Sequence, residues 1–334
     1  MADSLIYKLR SGKPSKLLFF IKGYLKMLVP RSFYIRRKEK LLSSASQRGD
    51  YLYILERVDY YIKMSHRRKL PSDPIHENKC THYVFLDRNG KFRPSTFHKA
   101  YFFDLTDVMR YFNRNLRIGY IPGDVYFTPE FPAIVKSRLL HTGNHNSVLL
   151  KLDKLRHFMF VDDKIPFSSK KPTAIFRGKI RLSRLREKFM TMYFGSDICD
   201  CGIVADEGYP KEWLTPKKTI REHLEYRYII ALEGNDVASN LKWVMSSNSI
   251  AIMTKPTCET WFMEGRLIPN YHYIEIKDDL SDLRERIEFY NKNPEKAEEI
   301  IQHAHDYVRQ FFNKKREKLI SLLVAERYFN LTSQ

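Results

Sequence analysis

The chain has 334 residues and a mass of 39.9 kDa, with 43% hydrophobic and 14% aromatic residues. At roughly 100–200 residues per domain, this implies two domains or one large one, and it excludes global disorder. Lys and Arg number 58 against 39 Asp and Glu, a formal charge of +19, which points to anionic partners: nucleic acid, a phospholipid surface or a phosphorylated substrate.

Residues 1–48 hold twelve of the Lys and Arg against only Asp3 and Glu39, so +10 of the charge sits in this one segment. Within it Leu17, Leu18, Ile21, Tyr24, Leu25 and Leu28 recur at helical spacing, with Lys16, Lys22 and Lys26 away from the centre of the stripe. An apolar face with basic flanks suits an interfacial membrane helix. It equally suits a surface helix packed on a core. The run 17–29 is interrupted by Lys22 and Lys26 and ended by Pro30, so it is a poor transmembrane span. It also lacks a small-residue cleavage site and reads poorly as a signal peptide.

Residues 49–70 read as a helix with Tyr51, Leu55, Val58 and Tyr61 on one stripe, and 71–98 as a polar loop around a short apolar run at 83–86. Strand-like pieces follow at 116–121, 147–152 and 158–161, with a Pro-rich turn at 128–132. The segment 172–190 is the most legible: an apolar strand at 173–176, the turn Arg177-Gly178, then a basic helix from Ser183. The last third repeats this grammar. An apolar run at 226–232 turns at Glu233-Gly234-Asn235-Asp236 into a helix at 237–245; strands are expected at 249–253 and 271–276. Helices follow to 290 and from 295 to about 312, the second opened by Asn293-Pro294. Strands alternating with helices imply parallel sheets with crossovers. The polar stretch 195–222 suggests a divide between two α/β lobes.

Several constellations could carry chemistry. At Arg177-Gly178 the glycine permits a sharp turn, the following helix start offers N–H groups, and Arg177 could clamp a diphosphate. The plain alternative is a βα turn with a solvated arginine. Gly234 and Asn235, leading to Ser239, Asn240 and Lys242, form a second candidate phosphate or ribose site; the alternative is a helix whose N-terminus is complemented by Asp236. Glu259, beside Trp261 and Phe262, could grip sugar hydroxyls at a strand exit. Asp124 and Glu130 flank the Pro-rich turn, where a carboxylate could act as general base. Asp162-Asp163 lacks a third ligand for a metal. His141 and His145 are separated by Gly143 and Asn144, which argues against a helical zinc pair, and Cys199-x-Cys201 is not a zinc or redox motif. The four cysteines, Cys80 and Cys258 included, are too scattered for a disulfide framework and suit a reducing cytosol.

The order of these segments resembles glycosyltransferase family 90. The likeness runs over roughly residues 80–315. It rests on P-T-A-I-F-R-G at 172–178, Y-I-I-A-L-E-G-N at 228–235, L-K-W-V-M-S-S-N-S-I at 241–250 and H-Y-I-E-I-K-D-D-L-S-D-L at 272–283. The bacterial lipopolysaccharide branch looks nearest, through E-G-N-D-V-A-S-N-L-K-W and N-S-V-L-L-K-L-D-K-L-R-H-F. The resemblance implies an α/β chain of GT-B type, with two Rossmann-like lobes, a UDP-sugar donor in the cleft and no required metal or other cofactor. By it, Arg177 and Gly178 lie near the donor diphosphate, and Lys242 is a basic donor-side position, with Asn240 where the family often has arginine. Glu259 falls near an acidic position beside aromatics. Glu130, before Phe131-Pro132, stands where the family has its aspartate base, and Asp124 is its rival.

The expected organisation is a basic amphipathic arm over 1–48, an acceptor-side lobe over 49–168, a nucleotide-sugar lobe over 169–315 and a helix over 316–334. The expected activity is hexose transfer from a UDP-sugar to a lipopolysaccharide core or related glycan. The protein is expected in the cytoplasm, peripheral on an anionic membrane at the inner face of the bacterial inner membrane, with no nucleic-acid partner. Two other readings are a basic nucleic-acid-binding protein without catalysis, for which no recognition motif is present, and a metal-dependent transferase centred on Asp162 and Asp163.

Overall fold

The computed structural model describes residues 12–70, 84–85, 99–113, 115–140, 143–181 and 183–332. The start of the basic arm, most of the expected loop at 71–98 with Cys80, and His141 lie outside the described residues. In chain order the elements are α1 (Lys16–Met27), α2 (Arg31–Ser43), α3 (Tyr51–Tyr61), β1 (Val84–Phe85), α4 (Lys99–Met109), β2 (Gly119–Tyr120), β3 (Ala133–Val135), β4 (Ser137–Leu139) and β5 (Ser147–Leu149). The order continues with α5 (Lys154–His157), β6 (Lys171–Gly178), α6 (Arg184–Tyr193), β7 (Cys199–Ile203), α7 (Ile220–His223), β8 (Tyr226–Ile230) and α8 (Leu241–Val244). It ends with β9 (Ile250–Met253), β10 (Cys258–Thr260), β11 (Ile274–Glu275), α9 (Leu283–Lys292), α10 (Pro294–Arg309) and α11 (Lys314–Thr332).

The chain divides into two compact units. One comprises Met1–Pro14, Leu155–Thr257 and Glu264–Gln310; the other comprises Ser15–Lys154, Cys258–Met263 and Phe311–Gln334. The first is a parallel α/β unit. Its described strands form one sheet in the order β11-β9-β8-β6-β7, every pairing parallel. The apolar runs that the sequence offers at 173–176 and 249–253 are its central strands. Their residues are buried on both faces, as parallel strands covered by crossover helices must be. Ala174, Phe176, Phe189, Tyr228, Ile230, Ile252, Ile274 and Ile287 lie in one continuous core.

The polar stretch 195–222 does not divide two sheets, contrary to expectation. It contributes β7, the edge strand beside β6, because Cys199, Cys201 and Ile203 alternate into the core while Asp200 looks outward. The strand expected at 158–161 is irregular, and the helix expected at 237–245 is regular only over Leu241–Val244.

The second unit is mixed. Its described strands form a sheet in the order β1-β2-β3-β5, with β1 antiparallel to β2 and the rest parallel, and a ribbon of β10 with β4. The helix α11 is largely buried and closes this unit: Tyr328 donates its hydroxyl hydrogen to the Pro132 carbonyl at 2.9 Å and accepts from the Gly119 N–H at 2.9 Å. Arg57, fully buried, pairs with Glu317 at 2.8 Å, and Trp261 donates to the same carboxylate at 2.7 Å while stacking on Tyr61 at 3.8 Å. The described part of the basic arm packs onto this unit. Arg31 donates to the Phe112 and Met109 carbonyls, both at 2.6 Å, and Lys38 pairs with Glu326 at 3.2 Å.

Candidate active site

Renumbered by chain order, the sheet of the parallel unit runs 2-1-3-4-5, the order of one doubly wound class. In such sheets ligands bind beyond the carboxyl ends of the strands, at the point where the order reverses. Here that point lies between β6 and β8. β6 ends at Arg177-Gly178 and β8 leads into Glu233-Gly234-Asn235. Arg177 and Gly178 are the last residues of β6 rather than the turn expected there, and the loop that follows them meets the Glu233-Gly234-Asn235 loop at this end of the sheet.

Side chains stitch these loops together. Arg186 donates through Nε and Nη2 to the Leu232 carbonyl, at 3.2 and 2.8 Å, and through Nη1 to the Lys179 carbonyl at 2.8 Å. Ser183 donates to the Glu233 carbonyl at 3.2 Å and, as N-cap of α6, accepts from the Arg186 N–H. A Cβ on Gly234 would stand 3.0–3.1 Å from the Arg186 guanidinium, so a side chain there would push that arginine aside. Glu233 in turn accepts from the Thr257 N–H and hydroxyl, tying in the loop after β9.

The loop after β7 holds the turn from the other flank. One Glu207 oxygen accepts from the N–H groups of Ile180 and Arg181, at 2.8 and 3.1 Å, and the Tyr209 hydroxyl donates to the Arg181 carbonyl at 3.0 Å. These bonds maintain Arg181 at φ 53°, a left-handed conformation that costs a non-glycine residue about 1–3 kcal/mol. Lys179, Arg181 and Arg184 are exposed beside the start of α6. Burial, and next the Arg181 charge, bring the Arg186 guanidinium down to about 10 from its ordinary 12.5. The edge is thus a cationic helix start with an ordered turn, suited to an anion.

Arg177 stands differently from the expectation of a diphosphate clamp or a solvated turn residue. Its side chain folds back along the sheet, donating to the carbonyls of Phe176 at 2.9 Å and Asp200 at 2.8 Å and to the Asp200 carboxylate at 2.5 Å. Tyr226 donates to the other Asp200 oxygen at 2.6 Å. Burial works against the Asp200 charge, but Tyr226 and Arg177 outweigh it and hold the carboxyl below its usual range. Gly178 closes the strand with its Cα facing the Phe176 ring, 2.9 Å from where a Cβ would be.

Of the other donor-side candidates, Asn235 and Ser239 are exposed on the loop after β8. Asn240 donates to the Ile230 carbonyl at 3.0 Å. Lys242 is fully buried on α8, and its ammonium is bonded to Glu264, which is buried as well.

Three carboxylate candidates, Glu259, Asp124 and Glu130, belong to the mixed unit, and Asp162 and Asp163 to the parallel one. Glu259 is fully buried on β10, directly opposite Arg138 of β4, with Nε at 2.8 Å; it also accepts from the Tyr60 hydroxyl and lies 3.9 Å from Lys63. Its segment is a core strand, not a loop at a strand exit. Asp124 accepts from the buried Lys136 ammonium at 2.6 Å. Glu130 is exposed, and its turn is pinned by Asn146, which donates to the Pro129 and Glu130 carbonyls at 2.9 and 2.8 Å. Asp163 pairs with Lys170 at 2.7 Å and accepts from the Asn248 N–H at 3.0 Å, whereas Asp162 is exposed. Sequence reasoning missed Arg186, Glu207 and Tyr209 as organisers of the edge. The one available signal was the basic helix that opens at Ser183.

The profile of the Glycosyl transferase family 90 matches residues 146–328. Over 70% of its length the chain is 41% identical to the O-glucosyltransferase LpsA of Dichelobacter nodosus, covering 73% of that protein. It is 23% identical to the O-glucosyltransferase rumi of Drosophila melanogaster and 25% identical to human Protein O-glucosyltransferase 1, covering 42% and 38% of them. Sequence likeness across more than half of the chain, joined to a parallel α/β sheet, identifies a sugar-transferring enzyme: the chain belongs to glycosyl transferase family 90.

Proposed function

We propose that this glycosyltransferase takes a hexose from a UDP-sugar and adds it to a lipopolysaccharide core sugar or related glycan, working at the inner face of the bacterial inner membrane. The observation that carries the donor reading is the convergence of the loops after β6 and β8 at the point where strand order reverses, beside a cationic helix start. A diphosphate fits that chemistry. The parallel unit is then the donor lobe of a GT-B enzyme, and the unit carrying Asp124 and Glu130 is its acceptor-side lobe. The glucosyl transfer in the relatives' names makes UDP-glucose the first donor to test.

In the reaction the acceptor oxygen attacks the anomeric carbon. The bond from that carbon to the β-phosphate oxygen breaks, and its electron pair leaves with UDP. Glu130, with Asp124 as rival, takes the acceptor proton. Exposed Lys179, Arg181 and Arg184 stabilise the charge that develops on the departing diphosphate. The family resemblance implies transfer without a metal, and on that reading activity should persist in EDTA.

A thermal-shift series tests the donor reading. A ligand specific to the native state adds about 2.7 kcal/mol of stability at 100 times its Kd. UDP and UDP-glucose should raise Tm and NAD should not. No response to any UDP compound would overturn the donor assignment.

A further inference from the structure

The helix α1 is apolar on two opposite sides. One side is docked within its own unit. Gly23 is buried against Phe103, where a Cβ would come within 2.4 Å of the ring, and Phe20 and Tyr24 meet that ring edge-on at 5.7 and 4.9 Å. Lys26 pairs with Asp107 at 2.7 Å, and Arg110 donates to the Lys26 carbonyl at 2.7 Å. This seat holds the helix down by its inner face.

The outer face carries the stripe Leu17, Ile21, Leu25 and Leu28, at intervals of four, four and three residues. Their exposures are 69%, 44%, 58% and 79%, and Leu18 beside them is 56% exposed. Val29 and Phe33, next along the chain, are exposed as well. Lys16, Lys22, Arg36, Arg37 and Lys40 are exposed along the same two helices, and Glu39 is the one acid in the sequence between residues 12 and 48. Water is a poor solvent for such a row of leucines, yet the seat on Phe103 keeps them out of the core.

We infer that the outer face of α1 is a lipid-docking surface, seated at the boundary of headgroups and acyl chains in an anionic bilayer. This rests on the peripheral membrane location proposed above and supplies its contact. Twelve residues extend about 18 Å, too short for a hydrocarbon core of about 30 Å, so the helix lies in the interface plane. The basic side chains meet anionic headgroups as the leucines leave water. A second copy of the chain is a worse occupant, since it would set one lysine-rich rim against another.

The test is sedimentation of the intact protein with vesicles of phosphatidylcholine alone and with 30% phosphatidylglycerol, alongside light scattering without lipid. The wild type should bind the anionic vesicles and lose binding as salt is raised. Ile21→Asp with Leu25→Asp should lower partitioning by more than tenfold, since each apolar side chain returned to water is worth about one decade. Lys16→Glu and Lys22→Glu should each lower it by about fivefold or more. Melting temperature and transfer to a soluble acceptor should be unchanged in all of them. A wild type that binds no vesicle would overturn the membrane location itself. A wild type that binds, with variants binding equally, would overturn this surface alone. A dimer that dissolves in the Asp variant, with vesicle binding retained, would assign the patch to a second copy instead.

Discussion

Two regions of the molecule are dense in positive charge, and they use it in opposite ways. Around the sheet edge, Arg177 and Arg186 direct their guanidinium groups at the chain itself, four backbone carbonyls and the Asp200 carboxylate among their acceptors. Lys242 is more extreme, buried whole against Glu264. Along α1 and α2 the pattern is reversed: Lys16, Lys22, Arg36, Arg37 and Lys40 stand in solvent beside exposed leucines. In a sequence the two regions look alike, a run of basic residues among apolar ones. Burial distinguishes them. A cation whose donors are spent on the chain shapes a site, and a cation in solvent is available to a partner.

Substitutions should sharpen this contrast, beginning with the largest effect. Lys242→Met removes the ammonium from buried Glu264 and should destabilise the protein by about 3–5 kcal/mol in urea unfolding. The double variant Lys242→Met, Glu264→Met should lie nearer the wild type than either single change, because it removes both charges. If Lys242→Met instead left stability intact and only weakened donor binding, Lys242 would belong with the available cations.

Arg177→Ala should cost about 1–3 kcal/mol of stability by abandoning Asp200 and two carbonyls, before any change in UDP affinity is read. A variant as stable as the wild type would contradict the internal role of that side chain. Arg186→Ala should cost about 1–2 kcal/mol and raise the KM for donor roughly tenfold, since it unties the loops after β6 and β8. Ser183→Ala removes the N-cap of α6 and should cost about 1 kcal/mol. Lys22→Glu should change stability by less than about 0.5 kcal/mol, with its whole effect in vesicle binding.

Much of the parallel unit was legible in the sequence. The strands at 173–176 and 249–253 are short apolar runs closed by Gly or Pro breaks, and they are found as β6 and β9. The helix opened by Asn293-Pro294 runs to Arg309, since proline is pre-shaped for the first helical turn. The sheet order was not legible, because β7 is a short strand of Cys, Asp and Gly with one bulky apolar residue, Ile203, set in a polar stretch, and the divide expected at 195–222 followed from that. The fate of single charged residues was least legible. Glu259 finds Arg138 across 121 positions, and no local pattern encodes such a pairing. Lys242 and Glu264 are nearer, 22 positions apart, but two strands, β9 and β10, intervene. The sequence marks Arg177 by its place beside Gly178, but the expected turn is not there: both residues continue β6 in register with Gly202 and Ile203, and the chain turns only after them. The direction of the Arg177 side chain depends on Asp200, fixed only when β7 pairs with β6.

The interleaving of the two units has a consequence for synthesis. The parallel unit draws its elements from 155–257 and 264–310, whereas the mixed unit still needs β10 and then α11, after Phe311. With ribosomes adding about 5–20 residues per second, the mixed unit waits about 15–60 seconds after its first helices emerge. During that interval Pro132 and Gly119 lack Tyr328, and Arg57 lacks Glu317. Released chains truncated after residue 310 should therefore show a protease-resistant parallel unit beside a cleavable N-terminal half, and chains extending past 332 should be resistant throughout.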